Sequence, residues 1–390
     1  MKQTLIALAV AAVAASTVGA AQAATVFDKD GTSLDVYGRI QAVVYSADTG
    51  NTNAQGDYGD NSLDASARLG LNMRNTINQY MSAFAKAEWE AANGDDGEGG
   101  DDDFNARYLW VGLDFNQFGS IKFGKFEDAI KYTIVQTDIF EDFGCVAQLG
   151  NDDRRAGQAM YEWSGWGIDF KLSGQTANNN QQVDGAYFTK DGNENLDINA
   201  GFAASLGYTT PDVLFGPIAI RVGYSYAEFQ DSSDEGEQNS AINYAYDDYN
   251  QYAASIAWGG ETGFYTAVMY SNRDFSMDSS RPNDDYTGGN FLAEDYKVQG
   301  VEFVLRYGFM NGISIMAGWE WQNFDQDGAE GQDLDAYTLN AEIDWQVTPN
   351  FKVWTEARWD LDSDDGYDDA TNGVTNYEED VYSIGARYTF

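Results

Sequence analysis

Apolar and polar residues alternate along most of the chain, in segments of about ten residues separated by turns. Within residues 63–73, for example, the odd positions are apolar or small, and the polar side chains, including Arg68, fall on the even positions. A period of two is typical of a β-strand whose two faces meet different environments. The pattern predicts an all-β fold with sixteen strands, at residues 34–46, 63–73, 79–91, 105–115, 119–124, 154–163, 167–175, 198–208, 216–228, 249–258, 263–272, 298–308, 312–324, 334–346, 350–360 and 379–390.

The last of these segments ends the chain on an aromatic residue, Phe390. In a soluble fold such a strand would be an exposed edge that invites aggregation. In a closed barrel it has a partner on each side, and its apolar face can contact lipid. Sixteen strands would leave an aqueous lumen. We therefore predict a single domain, a transmembrane antiparallel β-barrel over residues 24–390; the alternative, a soluble β-sandwich, would bury its apolar faces.

The amino terminus predicts export. Lys2 is followed by an apolar run, residues 5–15, and then by Ala21-Gln22-Ala23. This order describes a secretory signal peptide, residues 1–23, cleaved after Ala23. The alternative of a membrane anchor is disfavoured because the run is shorter than the roughly 20 residues that a spanning helix needs.

The composition narrows the function classes. The mean hydropathy of −0.47 resembles that of a soluble protein, but only every second residue of a barrel strand faces lipid. The chain has no histidine, which excludes Ser-His catalysis and histidine-based metal sites, and we expect no enzymatic activity. The only cysteine, Cys145, cannot form an internal disulfide, and we expect a small packed residue there rather than a reactive thiol.

The formal net charge of −41 argues against nucleic acid as a partner. Acidic runs at residues 95–103, 231–237 and 362–369 predict solvated loops. They could bind divalent cations non-specifically beside lipopolysaccharide phosphates. No run has the spacing of an EF-hand loop, so we expect neither a specific metal site nor a cofactor.

Residues 125–153 interrupt the alternation between two predicted strands. The segment is too apolar for a freely solvated loop, and structureless loops of this length are usually functional. It contains Thr137-Asp138 and Glu141-Asp-Phe-Gly144, carboxylates within an apolar context.

At this point the chain resembles the trimeric, sixteen-stranded general diffusion porins of Gram-negative outer membranes, over essentially all of residues 24–390. The matching stretches are residues 29–31, 34–39, 66–70, 119–125, 137–138 and 141–144 and the terminal Phe390. The resemblance implies that the third loop folds into the lumen and narrows it, with loop acids facing basic residues of the wall. It also implies a homotrimer in the outer membrane, contacts with lipopolysaccharide and outer-membrane lipid, and Phe390 as a signal for the barrel assembly machinery.

The resemblance also implies site residues. The loop carboxylates of the constriction would be Asp138, Glu141 and Asp142. The basic wall would comprise Arg39, Arg68, Arg107 and Arg155, with Arg154 as the rival to Arg155 and Lys125 as a further member. Independently, alternation puts Arg39 and Arg68 on the polar faces of their strands, and an arginine facing mid-membrane lipid costs about 2–4 kcal/mol. The alternative is that each arginine merely pairs with a neighbouring acid of the wall.

The expected function is passive, largely non-specific diffusion of ions and small hydrophilic solutes. Opposed acidic and basic groups across a narrow waist create a transverse field that orients polar solutes, and an acidic mouth concentrates cations. We therefore predict weak cation selectivity. One alternative is a channel specific for a sugar or an anion; another is a structural or adhesive barrel whose acidic loops bind a surface.

Overall fold

The computed structural model describes residues 23–47, 60–92, 104–144, 146–189, 194–230, 246–277, 294–328, 332–371 and 377–390. The signal segment up to residue 22, the acidic runs at 95–103 and 231–237, and Cys145 lie outside the described residues. The strands are β1 (Ala24–Lys29), β2 (Thr32–Ala47), β3 (Asp60–Asn78), β4 (Met81–Ala92), β5 (Asn105–Asp114), β6 (Ser120–Phe126), β7 (Arg155–Gly165), β8 (Ile168–Gln175), β9 (Asn178–Gln182), β10 (Asn195–Thr209), β11 (Ile218–Phe229), β12 (Tyr246–Gly259), β13 (Gly263–Met277), β14 (Tyr296–Gly308), β15 (Ile313–Gln326), β16 (Asp333–Thr348), β17 (Phe351–Asp360) and β18 (Val381–Thr389).

Short helical turns lie at Asn116–Phe118, Lys131–Ile134 and Tyr367–Ala370. Among the described residues, none of the helices is long and apolar enough to cross a membrane.

Sixteen of the described strands form a closed antiparallel ring. Each strand from β2 to β8 and from β10 to β18 pairs with its neighbours, β8 pairs with β10, and β18 pairs with β2. All sixteen segments predicted from alternation overlap one of these strands, so the predicted barrel is confirmed. The ring also excludes the alternative of a two-sheet sandwich.

Strands β1 and β9 were not predicted. Strand β9 consists only of asparagine and glutamine, so it has no apolar period to detect, and it pairs with the start of β10. Strand β1 pairs with Thr32–Val36 of β2, whereas β18 pairs with Arg39–Tyr45 of the same strand. Strands β1 and β18 therefore follow one another along β2 and together fill one strand position of the barrel.

The barrel buries polar side chains and exposes apolar ones. On the outer face, Ile384 and Leu63 are each 67% exposed, whereas Glu302 and Arg273 on the inner face are 0% exposed. A soluble protein shows the opposite distribution. The outer face is therefore suited to lipid, as expected for a membrane-spanning barrel.

The carboxyl terminus is held inside the sheet rather than left as an edge. The backbone of Phe390 donates to and accepts from the backbone of Gly38, each at 2.9 Å. A side chain at Gly38 would lie 2.7 Å from the Phe390 ring, so the glycine makes room for the terminal aromatic residue on β2.

A hydrophobic core lies at the end of the barrel that carries the long loops. It combines buried residues of β10 to β16 with residues 183–188, Tyr367 and Tyr377 from the loops. Part of this lumen is therefore filled by protein.

Candidate functional site: an inward-folded loop and a basic wall

Residues 127–153, here called the inner loop, connect β6 to β7 and lie against the inner face of the barrel. Ala129, Ile130 and Ile134 are 0% exposed. The side chain of Ser205 on β10 donates to the carbonyl of Ala129, and Ser255 on β12 donates to Gln136 Oε1 at 2.9 Å. Farther round the ring, the loop contacts β14, β17 and β18.

Strand β5 is largely apolar on both faces, so its alternation is weak, and the start of the inner loop explains the apolar inner face. Its inward-facing aromatic residues, Tyr108 and Trp110, pack against Phe126 and Ala129. This inner face is apolar because protein, rather than water, covers it.

Glycines on the wall leave the space that the loop occupies. Gly207, Gly223, Gly300 and Gly318 lie on β10, β11, β14 and β15. A Cβ atom at Gly300 would lie 2.6 Å from the carbonyl oxygen of Ala147, and one at Gly318 would lie 2.8 Å from the Phe140 ring. The loop can approach the strands this closely only because these side chains are absent.

Buried glutamates of the wall hold the backbone of the loop. Glu356 on β17 accepts hydrogen bonds from the N–H groups of Glu141, Asp142, Phe143 and Gly144, at 2.7–3.2 Å. Glu302 on β14 accepts from the N–H of Ala147 at 3.1 Å and from Gln148 Nε2 at 2.8 Å. A buried carboxylate needs such donors, so these glutamates act as docking points for the loop.

The three predicted loop carboxylates lie close together but make different contacts. Glu141 pairs with Lys352 on β17 and with Arg387 on β18, each at 2.5 Å. Asp142 accepts hydrogen bonds from Trp354 Nε1 at 2.6 Å and from Ser383 Oγ at 2.5 Å. Asp138 accepts from Asn151 Nδ2 at 3.5 Å.

These contacts set the charge of the loop acids. Despite burial, which acts in the opposite direction, Arg387 and Lys352 hold the pKa of Glu141 at about 2. Removal from water and the nearby Glu141 raise the pKa of Asp142, although the hydrogen bonds from Ser383 and Trp354 act in the opposite direction. The pKa values of these two neighbouring acids are therefore shifted in opposite directions.

Three of the predicted basic residues form one cluster on β2, β3 and β5. Arg39 and Arg68 are register partners, and both interact with Glu90 of β4, Arg39 at 3.6 Å. Arg107 binds Glu90 at 2.6 Å and Glu88 at 3.2 Å. The side chains of Arg39 and Arg68 remain 19% and 27% exposed. The structure thus brings these three arginines together, and each of them also pairs with an acidic residue of the wall.

The other three predicted basic residues lie outside this cluster. Arg154 binds Glu127 at 3.2 Å and Asp152 at 2.5 Å, at the base of the inner loop. Arg155 is fully buried against Asp128 and Asp153. Both arginines therefore anchor the loop.

Lys125 donates to the carbonyl of Ala106 at 2.9 Å. Its register partner is Leu109, which is 54% exposed on the outer face. The structure therefore does not bring Lys125 to the cluster. Lys122, on the other face of β6, pairs with Glu162 at 3.4 Å.

Sequence reasoning missed two basic residues at the loop tip, Lys352 and Arg387. They are register partners on β17 and β18. Alternation puts both on the inner face, by the argument that applied to Arg39 and Arg68. The signal was present, but only the structure shows that Glu141 lies between them.

A cavity of about 400 Å³ lies beside the inner loop. Its acidic lining residues are Asp138, Glu141, Asp142, Asp152, Asp184 and Glu194, and no lysine or arginine belongs to its described lining. The described residues contain no group of three or more histidine, cysteine, aspartate or glutamate side chains that could hold a metal ion. The described lining of the cavity is thus rich in acidic side chains, without a built metal centre.

Comparison with known proteins gives a consistent result. A family model described as Gram-negative porin matches residues 7–390. The outer membrane porin protein OmpD of Salmonella typhimurium is 27% identical over 402 residues, covering 100% of both chains.

Two solved structures share the fold. The structure of Salmonella typhi OmpF in complex with daunomycin superimposes with a TM-score of 0.66 at 18% identity, covering 93% of this chain and 99% of OmpF. The trimer form of Vibrio cholerae OmpT gives a TM-score of 0.60 at 15% identity, covering 93% and 100%.

Proposed function

Because the chain belongs to the Gram-negative porin family, and is therefore an outer-membrane diffusion channel and not an enzyme, we propose that its pore is largely non-specific and weakly cation-selective. The observation that carries this proposal is the cavity beside the inner loop, lined by six carboxylates and by no described basic residue. The positive charge of the arginine cluster does not fully offset this acidic lining, because Glu88 and Glu90 already bind the three arginines.

The proposed mechanism needs only fixed charges and a narrow passage. The loop carboxylates and the arginine cluster bound the path with opposite signs and create a transverse field, in which water and polar solutes orient. Large or apolar solutes meet a steric and dehydration barrier. The excess of acidic residues raises the local concentration of cations, and salt screens this effect within a Debye length of about 10 Å at 0.1 M.

The test is the reversal potential of the purified protein in a planar bilayer under a KCl gradient. We expect a modest cation preference that decreases at high salt. The double variant Asp138→Asn/Asp152→Asn should lose part of this preference, whereas Asp212→Asn, in an exposed turn, should retain it. A reversal potential of anion-selective sign in the unaltered protein would contradict the proposal.

We also propose that the chain assembles as a homotrimer, as the trimer form of OmpT does. Its apolar outer face, with Leu63 and Ile384 67% exposed, can be covered by lipid or by another copy. Channel closures in steps of three, and a native mass three times that of the chain, would support the trimer. A single closure step per insertion would contradict it.

The maturation steps complete the proposal. Removal of residues 1–23 would leave Ala24, the first residue of β1, at the amino terminus, which mass spectrometry of the outer-membrane protein can check. Phe390 would be read by the barrel assembly machinery, so deletion of Phe390 should lower the yield of folded barrel. Lipopolysaccharide and its divalent cations would bind the acidic outer loops without a dedicated metal site.

A further inference from the structure

We propose that residues 183–189, here called the second insert, form a second inward-folded element that limits the size of permeating solutes. The inference builds on the diffusion function but is independent of ion selectivity. It assigns to Tyr187 and Phe188 a role in determining pore size.

The second insert folds inward and reaches well beyond the strands that flank it in the chain. It lies between β9 and β10 in the chain, yet it contacts strands farther round the ring. Tyr296 on β14 donates its hydroxyl hydrogen to the carbonyl of Gly185 at 2.8 Å, and Tyr187 donates to Gln322 of β15 at 3.4 Å. The N–H of Phe188 donates to Tyr246 of β12 at 3.0 Å.

Aromatic packing fixes the insert in this position. Phe188 packs edge-on against Tyr296, with ring centroids 5.1 Å apart, and lies 6.0 Å from Phe324. Val183 and Ala186 are 0% exposed and Tyr187 is 1% exposed. Aromatic rings in this arrangement stabilise each other beyond the burial of their surface. The insert is therefore part of a packed core and not a loosely attached loop.

Polar contacts attach the insert to the inner loop. The N–H of Gly150 donates to Asp184 at 2.8 Å, and the N–H of Asp184 donates to Asp153 at 2.8 Å. Arg273 of β13 donates to the carbonyl of Asp184 at 2.7 Å. The two inward-folded elements thus form one unit anchored to the wall.

The two elements of this unit share the lining of one cavity. Asp184, Gly185 and Tyr187 of the insert line the acidic cavity together with Asp138 and Glu141 of the inner loop. The insert also lies at the end of the barrel that carries the long loops. A solute entering from that end therefore meets the insert before the loop, and the narrow section of the pore is longer than the inner loop alone would make it.

The test compares Tyr187→Ala/Phe188→Ala with the unaltered protein in single-channel recordings with neutral polymers of graded size. Removing two buried rings should loosen the insert, raise the conductance about twofold and admit larger polymers. Phe202→Ala, which removes a 49% exposed ring from the outer face, is the matched control and should change neither value. Tyr187→Phe keeps the ring and should behave like the unaltered protein.

A second measurement needs no substitution. Polymers added from the side of the long loops should be excluded at a smaller size than polymers added from the side of the short turns. Equal size limits from the two sides, or a folded double variant with unchanged conductance and polymer limit, would overturn the proposal. Neither outcome affects the sign of the reversal potential, so failure of this inference is distinguishable from failure of the selectivity proposal.

Discussion

Strand β4 and strands β14 to β17 all carry inward-facing glutamates, but different groups cover them. On β4, Glu88 and Glu90 bind the buried Arg107, and Glu90 also lies beneath Arg39 and Arg68, whose side chains remain partly exposed. On β14 and β17, Glu302 and Glu356 lie beneath backbone N–H groups of the inner loop. The first arrangement presents positive charge to the pore, whereas the second presents the polypeptide backbone of the loop.

This difference shows that an inward position in a barrel does not by itself face water. Removal of a carboxylate from water is unfavourable unless donors replace the lost hydration. The arginine cluster supplies charged donors, of which Arg39 and Arg68 stay partly exposed. The loop supplies fixed N–H groups, and the same contacts that satisfy the glutamates also position the loop.

The largest expected effect comes from removing a docking point. Glu356→Ala leaves the N–H groups of Asp142, Phe143 and Gly144 without this acceptor, whereas the N–H of Glu141 keeps Glu342 at 2.9 Å. Each buried donor left unpaired costs about 1–3 kcal/mol, so the loop tip should detach. We expect frequent conductance fluctuations and a lower temperature of barrel unfolding. Glu228→Ala, an exposed residue on β11, is the control, and equal behaviour of the two variants would contradict the docking role.

The next largest effect concerns the close contact between the inner loop and β14. Gly300→Ala places a methyl group 2.6 Å from the carbonyl oxygen of Ala147, and overpacking of this kind costs about 1–3 kcal/mol. We expect a shifted loop and a changed conductance in a barrel that still folds. Gly174→Ala on β8, where nothing lies within 4 Å of the added atom, should be neutral. A neutral result at Gly300 would mean that the loop is not held against β14.

A smaller effect concerns the charges at the loop tip. Glu141→Gln removes the negative partner of Lys352 and Arg387 and should shift the reversal potential towards anions. The carboxyl pKa is depressed to about 2 from an ordinary value of 4.5, so the ion pairs are intact above about pH 4.5 and are lost as the pH falls towards 2. The unaltered protein should therefore approach the variant only in acid. A variant with unchanged selectivity at neutral pH would show that the pair does not influence the pore.

Alternation predicted the barrel because lipid and lumen impose a period of two on every strand. It succeeded at β15, where Ile315 and Ala317 point outward and Glu320 inward, as their burial shows. It could not detect β9, which has only amide side chains. It was indistinct at β5, because the loop covers the inner face of that strand.

Less of the candidate site than of the fold could be predicted from the sequence. Alternation and family resemblance placed Arg39 and Arg68 in the cluster that the structure shows. The burial of Arg155 and the outward position of Lys125 depend on the path of the loop and on strand register, which no local pattern specifies. The second insert was missed for the same reason, since its partners lie more than fifty residues away along the chain.

The smallest expected effect extends the comparison to two acidic residues at the second insert, Asp184 within it and Glu194 beside it. Glu194 accepts from the N–H of Gly185 at 2.6 Å, and removal from water together with Asp153 raises its pKa to about 7, while Arg273 opposes the shift. Burial and the neighbouring carboxylates Asp153 and Glu194 also raise the pKa of Asp184.

A raised pKa means that docking of the insert is most favourable below about pH 4.5 and weakens as the pH rises through 7, because ionised Glu194 then lies beside other carboxylates. We therefore expect the conductance of the unaltered protein to rise modestly between pH 5 and about pH 8. Glu194→Gln keeps an acceptor for Gly185 but cannot ionise, so its conductance should stay flat over the same range. If both proteins gave the same pH profile, Glu194 would not control the insert, and the pH response would belong to the inner loop instead.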